Sequence, residues 1–77
     1  MRNNFIEYLG TAHLNNRNVA AYETKKGVTL KAENVVTDKV LGEIEFNTYE
    51  DAENWFSDLP GSNNISRLSS ALKIIAE

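Results

Sequence analysis

Cysteine is absent from this chain of 77 residues, and proline, histidine and tryptophan each occur once. Without thiols there is no disulfide framework, no cysteine nucleophile and no thiolate zinc site. His13 has no cysteine to pair with, and its setting reads as a turn or packing position rather than a general base. The four glycines compose no phosphate-binding loop, and ligands of the kinds and spacings a metal needs are missing. Glu43 and Glu45 share a strand face, yet nothing around them implies a pocket. The reading is a non-enzymatic chain with no cofactor.

Long apolar runs are missing too. No segment is long and apolar enough to span a membrane, and Met1-Arg2-Asn3-Asn4 leads into no signal-peptide core. The expectation is that the protein stays in the cytoplasm where it is made, away from membranes. What is present is ordinary for a globular protein: 42% hydrophobic and 25% charged residues, which speaks against disorder. A chain of this length is expected to be one domain, residues 1–77, near the lower size at which a single core is stable.

Basic residues are few and scattered. Arg2, Arg17, Lys25, Lys26, Lys31, Lys39, Arg67 and Lys73 form no cluster beyond Lys25-Lys26, and the net charge is -3. Phosphate binding draws its affinity from clustered Lys and Arg, so nucleic acid is disfavoured as the direct partner. Between Val40 and Ser66 there is no basic residue at all, while Glu43, Glu45, Glu50, Asp51, Glu53 and Asp58 fall in that window. Two readings stand: a solvated helix face with acids near a helix N-terminus, or an acidic patch that steers the protein toward a basic surface.

The first half of the chain reads as strands. Asn4 to Leu14 is rich in strand formers and runs into Asn15-Asn16-Arg17-Asn18, a turn composition tolerant of positive φ. Val19 to Thr24 is a second strand, closed by Lys25-Lys26-Gly27. Val28 to Val36 alternates, with Val28, Leu30 and Ala32 on one face and Thr29, Lys31 and Glu33 on the other. After Thr37-Asp38-Lys39, Val40 to Phe46 alternates again, placing Val40, Ile44 and Phe46 opposite Leu41, Glu43 and Glu45. Short turns between successive strands make the neighbours antiparallel.

The period then changes. Thr48 is a good helix N-cap with Asp51 three residues on, and Ala52, Trp55, Phe56 and Leu59 follow at helical spacing up to the stop at Pro60-Gly61. Trp55 reads as packing. A second helix opens after Ser62-Asn63-Asn64, with Ile65, Leu68, Leu72 and Ile75 as its buried stripe and Ala71 beside them. The predicted class is α+β: a four-stranded antiparallel β-meander over residues 4–46, packed on one face by a C-terminal antiparallel two-helix hairpin, residues 48–59 and 64–76.

Two helices joined by a tight turn cover only one face of such a sheet. The other face is wet or binds something. Lys31 and Glu33 belong to it, as do Ala20 and Tyr22 if Val19 and Ala21 are core. The first strand is ambiguous. If Phe5 and Leu9 are core, Tyr8 joins Tyr22 and Glu33 outside, at the cost of Glu7 pointing inward unless a bulge or an edge position rescues it. Two tyrosines beside a carboxylate are the composition of a protein-binding hot spot, although surface aromatics also stabilise cross-strand pairs.

Four stretches carry a resemblance. Phe5-Ile6-Glu7-Tyr8-Leu9 with Thr11-Ala12-His13-Leu14-Asn15, then Ala21-Tyr22-Glu23, Glu33-Asn34-Val35-Val36, and Trp55-Phe56-Ser57-Asp58-Leu59-Pro60-Gly61-Ser62, in that order, resemble the first-described family of type I-F anti-CRISPR proteins. These are phage-encoded inhibitors of the RNA-guided Csy surveillance complex. The resemblance covers residues 5–62 well and the last helix loosely, and the turns Asn16-Arg17 and Lys25-Lys26-Gly27 depart from it. It implies a four-stranded antiparallel sheet backed by two helices. It implies that Tyr8, Tyr22 and Glu33 bind the partner, that the partner is the repeated backbone subunit of the complex, and that a monomer binds in several copies. Lysines that hold target DNA are implied contacts. Guide RNA stays in place, and target hybridisation is blocked in the bacterial cytoplasm. Two alternatives remain: a sheet that stacks single-stranded nucleic acid, and an interaction module of the same fold with another partner.

Overall fold

The strands pair as the alternation and the short turns dictate. In the computed structural model, residues 4–76 are described, apart from the side chains of Asn4, Ala12, His13 and Leu14. The His13 side chain, like residues 1–3 and 77, therefore lies outside the described residues. Strands β1 (Asn4–Leu14), β2 (Arg17–Thr24), β3 (Gly27–Asn34) and β4 (Lys39–Phe46) form one antiparallel sheet in the order β1-β2-β3-β4. Helices α1 (Tyr49–Ser57) and α2 (Asn64–Ala76) follow.

The turns are built from residues suited to them. Asn15 and Asn16 both adopt positive φ, 53° and 62°, the left-handed pair that a two-residue hairpin needs and that Asn tolerates. Asn34 ends β3. Its Oδ1 accepts from the backbone N–H of Val36 at 2.9 Å and of Thr37 at 3.1 Å, so the chain turns two residues earlier than the apolar run through Val36 implies. Val35 donates to the Asn16 carbonyl at 2.6 Å, which ties this turn to the first one.

α1 is capped as its sequence predicts, and the structure shows a cap of the same kind on α2. Thr48 Oγ1 accepts from the Asp51 N–H at 3.1 Å, and Asn63 Oδ1 accepts from the Ser66 N–H at 2.9 Å. α1 is shorter than the predicted 48–59, since Asp58 is already its C-cap. α2 packs chiefly on β1 and α1 on β3 and β4, while the helices touch each other only slightly. Sheet and helices share one core of Leu9, Val19, Ala21, Val28, Leu30 and Ala32 with Ala52, Phe56, Leu68, Ala71 and Leu72. Trp55 packs against that core, its ring 5.7 Å from Phe46. Ile65 is not part of the buried stripe: it is 53% exposed, although Leu68 and Leu72 in line with it are buried. Helical spacing assigns a residue to a side of the helix but does not say where the sheet beneath it ends.

Gly42 shows how close the layers come. A Cβ at this position of β4 would fall on the Ile75 carbonyl of α2, so the strand can approach the helix only where no side chain exists.

Candidate functional site

The pairing registers set the composition of the uncovered face row by row. Residues directly opposite one another on neighbouring strands project to the same side. One row reads Phe5, Tyr22, Thr29, Glu45; the next reads Tyr8, Ala20, Lys31, Glu43; a third reads Asn18, Glu33, Val40. The intervening rows carry Val19, Ala21, Val28, Leu30 and Ala32 into the core.

Two bulges in β1 resolve its ambiguity. The pairing steps from Phe5↔Tyr22 to Glu7↔Ala21, with Ile6 as the extra residue, and from Tyr8↔Ala20 to Gly10↔Val19, with Leu9 as the extra residue. Phe5 therefore joins Tyr8 and Tyr22 on the open face instead of packing in the core, while Leu9 is buried. Glu7 does point toward the helix side. There it lies beside the buried hydroxyl of Tyr49, whose pKa is raised first by burial and then by the Glu7 carboxylate. The two do not meet hydrogen-bond geometry, so the influence is electrostatic. A bulge between Ala32 and Glu33 in the β3–β4 pairing places Val40 opposite Glu33, on the open face and not with Ile44.

Tyr22 and Glu33 start far apart and end in contact. They lie two rows apart on adjacent strands, about 13 Å along the sheet at ~3.3 Å per residue. The Tyr22 hydroxyl nevertheless donates to both oxygens of the Glu33 carboxylate, at 3.1 and 2.9 Å. Its ring must lie along the sheet, across the row held by Ala20 and Lys31. Ala20 is small enough to leave that path clear and is itself fully buried outside the helix-side core. The Lys31 ammonium sits 4.9 Å from the Tyr22 ring centroid and 3.9 Å from the Glu43 carboxylate.

Electrostatics hold the pair in one state. Burial, and then the hydrogen bond to Glu33, push the Tyr22 hydroxyl up to about 12, so it remains a donor at neutral pH. Asn18, opposite Glu33, is buried, and its Oδ1 meets no hydrogen-bond donor of the protein.

The face is thus divided. Phe5, Tyr8 and Tyr22 form an aromatic cluster on β1 and β2, with Phe5 to Tyr8 at 4.7 Å and Phe5 to Tyr22 at 5.6 Å between ring centroids. Lys31, Glu33, Glu43 and Glu45 make the β3 and β4 half charged. Tyr8, Tyr22 and Glu33, the three residues singled out in the sequence, all stand on this face, and Tyr22 links the two halves. The sequence leaves Phe5 ambiguous, with the core as one option; the bulge at Ile6 puts it on the open face. The acidic window does not form one patch: Glu43 and Glu45 are on the open face, whereas Glu50 and Asp51 sit in the first turn of α1.

Among the described residues no group of three or more His, Cys, Asp or Glu side chains could hold a metal ion, and no helix is long and apolar enough to cross a membrane. A sheet covered on one side and presenting half-exposed aromatics beside paired charges on the other has the composition of a protein-recognition surface.

Comparison with known proteins specifies which kind. Residues 3–77 match the family model for anti-CRISPR protein Acr30-35/AcrF1, so the chain belongs to that family. The match includes α2, where the four sequence stretches gave little. Among solved structures, it is 43% identical to a chain in the structure of anti-CRISPR proteins AcrF1/2 bound to the Csy surveillance complex with a 32-nt spacer crRNA backbone region. The similarity covers 94% of this chain and 91% of that one, with a TM-score of 0.84. It is 42% identical to the solution structure of anti-CRISPR protein Acr30-35 from Pseudomonas aeruginosa phage JBD30, over 95% of this chain and 92% of that one, with a TM-score of 0.69. No curated protein sequence matches significantly.

Proposed function

We propose that this protein inhibits the type I-F CRISPR surveillance complex by binding its repeated backbone subunits through the open sheet face. The observation that carries the proposal is the likeness, across nearly the whole chain, to a chain of the structure in which AcrF1/2 are bound to the Csy complex. In this reading Tyr8 and Tyr22 supply rigid contact area, and Glu33, held by the Tyr22 hydroxyl, receives a basic side chain of the subunit.

The chain acts by occupancy and not by chemistry. Bound to the backbone subunits, it covers the surface that target DNA must follow, so the guide RNA stays loaded and its hybridisation to target is blocked. Because the subunit repeats, one complex accepts several monomers. The site of action is the cytoplasm of the bacterial host.

A nucleic-acid-stacking sheet is the weaker reading. Among the described residues, three carboxylates, Glu33, Glu43 and Glu45, stand on the face against the single ammonium of Lys31, which is already engaged with Tyr22 and Glu43. Phosphates would be repelled by that balance.

The test is target capture. An RNA-loaded type I-F complex preincubated with excess protein should no longer shift complementary target duplex in a mobility assay, and the protein should co-migrate with the complex. Undiminished capture at saturating protein would overturn the proposal.

A further inference from the structure

We propose that Phe5 is a third aromatic anchor of the binding face, touching an apolar group of the same backbone subunit beside Tyr8 and Tyr22. This rests on the reading that the open face is the contact surface, and it adds a residue and a direction to it.

The geometry comes from the bulge. In regular β-structure residues three apart face opposite ways, so Phe5 and Tyr8 share a face only because Ile6 is inserted between the paired positions Phe5↔Tyr22 and Glu7↔Ala21. Phe5 is directly opposite Tyr22 and in ring contact with both tyrosines. It is 47% exposed, as much as Tyr8 at 45%. Unlike a tyrosine it has no hydroxyl to satisfy in water, so its exposure is unfavourable until something apolar covers it.

The divided face also fixes how a partner lies. Aromatic rings occupy the β1 and β2 half, and Glu33, Glu43 and Glu45 the β3 and β4 half. A complementary subunit surface carries an apolar group over Phe5 and basic groups over the carboxylates. Tyr22, whose ring is in contact with Phe5 and whose hydroxyl is on Glu33, joins the two.

Binding of Phe5→Ala to RNA-loaded Csy complex tests this, with Tyr22→Ala in parallel and circular dichroism to verify folding. Phe5→Ala should weaken binding at least tenfold. Should that variant fail to fold, Phe5→Leu keeps the apolar bulk and should lose several-fold. If Tyr22→Ala weakens binding and the folded Phe5 variant does not, the inference about Phe5 fails while the open-face reading stands. If neither weakens it, that reading fails and Phe5 falls with it. Contact is separated from mere support of the tyrosines by p-azidophenylalanine. Placed at position 5 it should photocrosslink to the backbone subunit, as it should at position 8, but not at Lys73 on α2. A crosslink at 8 without one at 5 would overturn the proposal.

Discussion

The Tyr22 hydroxyl donates to both carboxylate oxygens of Glu33, at 3.1 and 2.9 Å, across two rows of the sheet. The bond gives the two residues one shared geometry before any partner arrives. A glutamate free to rotate would lose side-chain entropy on binding; held by a phenol, it loses less. Tyr22→Phe keeps the ring and removes the donor. We expect it to weaken binding to the surveillance complex several-fold, whereas Tyr22→Ala, which also removes the contact area, should cost about 2 kcal/mol or more. Titration calorimetry on folded variants measures both.

The same bond has a pH signature. An unfolded tyrosine ionises near 10, and in the folded chain Tyr22 is pushed up to about 12. Because the folded value is the higher one, this contribution to stability is intact below about pH 10 and is lost as pH rises through about 12. An NMR titration of the Tyr22 ring should show the late ionisation. In Glu33→Gln it should move only part of the way back, since burial is the larger cause.

Gly42 predicts a stability effect unrelated to binding. A methyl group there would overlap the Ile75 backbone carbonyl, and backbone cannot rotate away as a side chain can. Gly42→Ala should destabilise by about 2 kcal/mol or more, read from urea denaturation. Thr48→Ala, which removes the α1 cap, should cost about 0.5–2 kcal/mol in the same assay.

Glu43 and Glu45 stand on the open face with few competing cations. If the partner surface is basic, they speed encounter more than they hold the complex. Glu43→Gln with Glu45→Gln should slow association several-fold at low salt and leave dissociation little changed. The difference should fade at high salt, which surface plasmon resonance can follow.

The sequence was most legible where its period was unbroken. In β3, Val28, Leu30 and Ala32 alternate with Thr29, Lys31 and Glu33, and both faces follow the expected assignment. The cap at Thr48 sits just before the helix it opens. β1 was not legible, since register shifts, the bulges at Ile6 and Leu9 among them, break the period within one strand and move Phe5 to the open face. The same effect moves Val40 in β4. A bulge is a choice of pairing between strands, so it leaves little trace in either strand alone. The contact between Tyr22 and Glu33 was hidden for another reason. Both residues were assigned to one face, but their two-row offset hides the reach of a long side chain lying over Ala20.

If the open face, and not merely the family's fold, stops the complex from capturing DNA, disabling that face alone should restore capture. The most direct measurement is target-DNA capture by one RNA-loaded type I-F complex in the presence of wild-type protein, Tyr22→Ala, or Lys73→Ala on the helix side. Wild type and Lys73→Ala should abolish capture, while folded Tyr22→Ala should leave most of it intact. Full inhibition by Tyr22→Ala at the concentration where wild type acts would contradict this.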